Sequence, residues 1–248
     1  MPVNVWTVTA AAAVTCLATG LGAIPFLWTR NGMSRHWLGT SNAVASGFML
    51  GASAGLLWQG WNLGAVRLLL GAAVGAIFIV VFRRLLGGGE DVALSGLTGA
   101  DARKAVVLIA VMTAHSAAEG IGVGVSFGGG EKLGLLITLA IALHNIPEGL
   151  AISLVLVPRG ASVRAATGWS IFSSVPQPII APLAFLFVEQ FRAFLPAGLG
   201  FAAGAMIWMV FSELLPEAVE STSRRAIALG GGLSFAAMLA LQIGLFGV

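Results

Sequence analysis

Leu139-Ala140-Ile141-Ala142-Leu143-His144-Asn145-Ile146-Pro147-Glu148-Gly149-Leu150-Ala151-Ile152 is a hydrocarbon run interrupted by an imidazole, an amide and a carboxylate. Apolar residues continue on both sides, over about 132–157, and a helix of roughly 20 such residues crosses a bilayer. His144 and Glu148 are four positions apart and so project from one face of that helix. A charged side chain at the centre of a membrane helix costs roughly 2.5–3.5 kcal/mol on insertion scales, so such groups need partners.

The rest of the chain fits this reading. Of 248 residues, 58% are hydrophobic and 9% charged, against about 25% charged in soluble domains. Too few polar groups are present to cover a water-facing surface. Eight apolar stretches can be read, at about 5–28, 38–60, 63–84, 103–127, 132–157, 163–188, 194–217 and 226–247. The 34 glycines suit close helix packing in lipid, and the alternation of a membrane β-barrel strand is missing. The expected fold is therefore all-α: a polytopic bundle of eight transmembrane helices in a single domain, 1–248, with a cytoplasmic linker at about 85–102. The first stretch lacks the basic n-region of a signal peptide and is read as a membrane helix. Cys16 is the single cysteine, which excludes intrachain disulfides and Cys-rich metal sites.

The net charge is +3, but its distribution speaks for topology, not nucleic-acid binding. Arg30, Arg35, Arg83, Arg84, Arg103, Lys104, Arg159, Arg164, Arg224 and Arg225 fall at the odd-numbered connections. Only Arg67, Lys132 and Arg192 fall at the even-numbered ones. Basic residues accumulate on the cytoplasmic side, which puts both termini on the other side. The short chain without a targeting segment suggests a bacterial inner membrane.

A second motif echoes the first. His115-Ser116-Ala117-Ala118-Glu119-Gly120, on the fourth expected helix, repeats the His-to-Glu spacing of His144 to Gly149 on the fifth. These two motifs use two of the three histidines. The short turn at Gly128-Gly129-Gly130 makes the two helices antiparallel neighbours, so both motifs meet near the bilayer centre, where transporters often bind substrate. Two nitrogens and two carboxylates suit zinc and other borderline divalent ions. The bland alternative is a buried His-Glu hydrogen-bond network. Asn145 and Ser116 hold matching places and offer either neutral oxygens or interhelical hydrogen bonds. Pro147 deprives the Leu143 carbonyl of its helical partner. In Ser173-Ser174-Val175-Pro176-Gln177-Pro178 the prolines break regular helix and bring forward Gln177. Met49 carries a thioether, although a lone methionine more often packs. Ser212, Glu213 and Glu217 stand near the expected cytoplasmic mouth, on a path for cations or on a solvated helix end.

With these motifs in view, the chain resembles the ZIP family of divalent metal transporters, most of all its GufA-like branch. The residues that carry the likeness are His144 to Gly149, His115 to Gly120, Ala18 to Phe26, Gly47 to Ser53 and Leu214 to Ala218. The resemblance implies a main metal site of Met49, His115, Glu119, His144 and Glu148. It also implies an adjoining position flanked by Ser116, Asn145 and Gln177 and bridged by the two glutamates. An elevator-like motion of helices one, four, five and six against two, three, seven and eight is implied too, as is a homodimer. Three residues depart from the family pattern. Ser116 replaces an asparagine and Gln177 a glutamate, so the second position is expected to be weakened or absent, whereas Ser212 replaces an acid and bears on the release path.

The function expected is movement of Zn²⁺, or of Fe²⁺, Mn²⁺ or Cd²⁺, toward the cytoplasm, with the metal as substrate, no resident cofactor and no enzymatic activity. Two other functional classes compete with this one. A membrane-embedded zinc hydrolase needs an open metal position and a general base, and the His-Glu-x-x-His arrangement is absent. A proton relay would use the His-Glu pairs without metal.

Overall fold

The computed structural model describes residues 3–29, 34–86 and 99–246. The expected cytoplasmic linker falls mostly at 87–98, outside the described residues. Within them every regular element is helical. In order these are α1 (Val5–Leu21), α2 (Arg35–Leu86), α3 (Gly99–Gly128), α4 (Glu131–Leu156), α5 (Val163–Ser174), α6 (Pro176–Gln190), α7 (Leu195–Met209), α8 (Leu215–Ser221) and α9 (Arg224–Leu241). Seven helical runs are long and apolar enough to cross a membrane.

One of these runs, His36–Leu85, has 50 residues. Straight, it would measure about 75 Å, more than twice the roughly 30 Å of a hydrocarbon core. It is not straight. The backbone leaves helical geometry at Gly64 (φ 159°, ψ 89°), and a Cβ at Gly60 would run into the side chain of Leu68. Eight residues along one straight helix would be about 12 Å apart, so α2 folds back on itself. The expected spans at 38–60 and 63–84 are its two arms, joined by a bend where a loop was expected.

Each arm has its own partner, and glycine decides which. Gly47, Gly51 and Gly55 of the first arm lie against Ser234, Met238 and Gln242, and Gln242 donates to the Gly51 carbonyl at 2.7 Å. The second arm and α7 exchange close approaches. Gly71 and Gly75 face the Ala197 and Phe201 carbonyls, while Gly200 and Gly204 face those of Leu68 and Ala72. No side chain larger than hydrogen fits at these crossings. In lipid the gain comes from such close packing, since hydrocarbon tails are as apolar as the helices themselves.

Prolines and caps set the remaining ends. The helix expected at 163–188 is two pieces, α5 and α6, parted at Val175 just before Pro176. The one expected to end near 217 continues through a wide π turn, Val210–Leu214, into α8 and stops at Ser221. Ser162 and Ser223 accept the N–H groups of Ala165 and Ala226 and so cap α5 and α9. Gly160, at φ 103°, supplies the left-handed residue that ends the turn after α4. Large apolar side chains such as Leu17, Leu69, Ile77, Leu183 and Leu233 point outward. Exposed Trp6, Trp58 and Trp61 lie toward one end of the bundle and Trp28 and Trp37 toward the other, the distribution of interfacial aromatic belts.

Candidate metal centre

α3 and α4 run antiparallel from the turn at Gly130, and α1 and α6 pack beside them. α1 and α4 touch backbone to backbone. A Cβ on Gly149 would strike the Thr19 carbonyl, and one on Gly22 would strike Gly149 and Leu150. This contact fixes the height of α4 and thereby of its motif. Helix α4 continues through Pro147.

At that height Glu119, His144 and Glu148 come together, all three buried, with one ligand atom from each within 4.8 Å of the others. His144 Nε2 stands 2.8 Å from Glu119 Oε1. The other Glu119 oxygen accepts a hydrogen bond from Gln177 Nε2 at 2.6 Å. Glu148 is different: neither of its buried oxygens has a hydrogen-bond partner, nor does His144 Nδ1. Unpaired carboxylate oxygens in a dry interior are costly, and a divalent cation held by the three residues would satisfy them.

Gln177 closes one side of this group. Its Oε1 accepts from Thr15 Oγ1 at 2.5 Å and from Asn145 Nδ2 at 3.3 Å, and Asn145 also donates to the Thr15 carbonyl at 2.9 Å. Thr19 and Ser174 pair their hydroxyls at 2.7 Å, with Ser116 3.4 Å from Ser174. Asn145, Ser116 and Gln177 are thus engaged with neighbouring helices. Thr15, Thr19 and Ser174 were not singled out from the sequence as part of this network. The spacing of Thr15 and Thr19 along an apolar helix is the one signal that points to them.

Of the expected members of the main site, His115 is not one of the three grouped residues, and Met49 offers a thioether and not a carboxylate or imidazole. His115 Nε2 lies 4.0 Å from Glu213 Oε1, and neither ring nitrogen has a hydrogen-bond partner. The π turn of α7 carries Glu213 to this place. Met49 is buried within the apolar core, in the same cluster as Met206, Met209 and Met238. Toward the end of α8 the polar residues form a line. Arg83 Nη1 is 3.7 Å from Glu213 Oε1. The Ser212 hydroxyl is buried without a partner. Glu217 accepts from Asn42 Nδ2 at 2.9 Å.

Residues 89–247 match the ZIP zinc transporter family. The chain belongs to the ZIP family. The ZIP chain is 46% identical over 243 residues to an Arabidopsis thaliana protein named "Putative zinc transporter At3g08650", a stretch that covers 97% of this chain. It spans only 39% of that plant protein's length. It is 32% identical to Zinc transporter GufA of Myxococcus xanthus, over 92% of this chain and 94% of GufA. With Zinc transporter ZupT of Corynebacterium glutamicum it shares 30% identity, over 71% of this chain and 86% of that one. The family and the apolar helical runs make this ZIP chain an integral membrane protein.

Proposed function

We propose that the protein carries a divalent metal ion, Zn²⁺ or a related ion such as Fe²⁺, Mn²⁺ or Cd²⁺, across the membrane toward the cytoplasm. The observation that carries this reading is the pair of unpartnered Glu148 oxygens beside Glu119 and His144 in the interior of the bundle. Nitrogen and carboxylate oxygen together replace the water shell of a borderline ion. The names of the relatives, zinc transporters by title, agree with it.

In this reading α2 contributes two spans, which makes eight with both termini outside. The line from His115 through Glu213 to Glu217 is the release path, and Ser212 borders it. Arg83 beside Glu213 keeps the path from holding the ion too tightly, since conduction needs a site that the ion can leave. The second metal position is taken by the amide network. Gln177 gives Glu119 a hydrogen where a carboxylate would give a ligand, so one ion binds per chain. Met49 and His115 join the ion only after rearrangement. α1, α3, α4, α5 and α6 move as an elevator against α2, α7, α8 and α9, in a homodimer lying in a bacterial inner membrane. No residue acts as a catalyst.

The test is ⁶⁵Zn²⁺ uptake into proteoliposomes. Saturable uptake by the native chain and a fall of at least tenfold in Glu148→Ala are expected. Uptake that the folded native chain fails to show, for several divalent ions and both gradient directions, sinks the transport reading.

A further inference from the structure

One apolar groove shares none of its lining with Glu119, His144 and Glu148. It runs between the second arm of α2 and helices α3, α6 and α7, with a volume of about 560 Å³, in the range of ligand-binding clefts. Leu70, Val74, Leu183, Phe187, Phe194 and Phe201 are among its lining residues, and the lining carries no charge. It opens outward, with Leu70, Leu183 and Phe194 more than half exposed. In a membrane protein this face meets acyl chains, not water.

The groove has one polar end. A second hollow, of about 400 Å³, shares Leu70, Phe194 and Ala197 with it and adds Arg67. Arg67 is exposed and three residues past the Gly64 bend. One of its nitrogens donates to the Ala193 carbonyl at 2.7 Å, which aims the guanidinium across the mouth of the groove. No carboxylate lies within ion-pair distance of Arg67 among the described residues. The neighbouring Arg192 is neutralised by Glu189 at 2.5 Å. The mouth therefore carries one uncompensated positive charge among the described residues.

A long apolar trough that ends on a single guanidinium at the interface has the shape and charge of one half of a phospholipid. We propose that the groove holds an anionic phospholipid of the leaflet at the Gly64 end. One acyl chain lies along Leu70, Val74 and Phe201, and the phosphate accepts from Arg67. Guanidinium and phosphate form strong charge-assisted hydrogen bonds, and a basic residue near the surface favours anionic lipid about fivefold. A second copy of the chain fits less well. An isologous contact brings the same face twice, and this face has no free acid to offer Arg67. The inference rests on membrane embedding alone, so it stands or falls apart from metal transport.

The test is native mass spectrometry of the full chain released from nanodiscs holding equal phosphatidylglycerol and phosphatidylcholine with identical acyl chains. The native chain is expected to retain phosphatidylglycerol about fivefold over phosphatidylcholine. Arg67→Gln should lose that preference and Arg67→Lys should keep most of it. Val74→Trp, which fills the trough from its open side, should lower retention of both lipids. Equal retention of the two lipids by the native chain, retention unchanged in Val74→Trp, or no lipid at all overturns the proposal. A lipid-free dimer that Val74→Trp dissociates also overturns it, in favour of a second copy.

Discussion

In the proposed reading, Gln177 sets how many ions the interior takes. Its amide faces Glu119 with the nitrogen and Thr15 with the oxygen, so both ends are engaged. In Gln177→Glu the donor becomes a second carboxylate 2.6 Å from the first, a repulsion that a cation relieves. Zinc stoichiometry, read by calorimetry on detergent-solubilised protein, is expected to rise from one ion per chain toward two. A stoichiometry that stays at one would mean that the amide is not what closes the second position. The residues of this centre were legible in unequal measure. Glu119, His144 and Glu148 follow from a spacing of four on apolar helices, because the helix itself turns such pairs onto one face. His115 obeys the same spacing yet faces Glu213, because its partner is chosen by another helix, 98 positions away in sequence. The Thr15 and Thr19 hydroxyls escaped notice for a related reason. A threonine on a membrane helix can always satisfy itself on its own backbone, as Thr15 also does with Ala12.

At the scale of the element, glycine and proline write the rules. Prolines were readable: Pro176 parts α5 from α6 where the sequence puts the break. The π turn before α8 was not expected, although a cause is at hand. Pro216 has no N–H for the Ser212 carbonyl, and a widened turn is one way to accommodate that gap. The glycines announce close packing but not its partner. A Cβ at Gly204 would meet the Ala72 backbone, whereas one at Gly232 would meet nothing within 4 Å. Gly204→Ala is therefore expected to destabilise the fold by about 1–3 kcal/mol through overpacking. Gly232→Ala should be neutral or gain up to about 1 kcal/mol from helix propensity. Thermal unfolding of both variants in one detergent compares them directly. Equal shifts would show that the α2–α7 crossing is looser than described.

For the molecule as a whole, the charge bias and the bend in α2 make one joint prediction. Asn62 beside the bend and Ser223 before α9 are both exposed, and they fall on opposite faces of the membrane if α2 is a hairpin. In a Cys16→Ser background, Asn62→Cys should react with an impermeant maleimide in right-side-out vesicles, and Ser223→Cys only in inverted ones. Reaction of both from one side would overturn the eight-span topology. The apolar helical runs were legible as hydrophobic length, and their succession follows from short connections. Which helices would sit together was not legible, since apolar surfaces carry no address; the address lies in the glycine crossings.

Those crossings also set a timetable. Gly71 and Gly75 leave the ribosome well before the α7 backbone that covers them, and α7 starts at Leu195, about 120 residues after Gly75. At synthesis rates of about 5–20 residues per second, the wait is roughly 6–24 s. For that time the nascent hairpin carries a bare glycine furrow that any small-residue helix nearby could enter. The spacing of two packing partners along the message thus gives this protein a window of vulnerability during its birth that the finished bundle no longer shows.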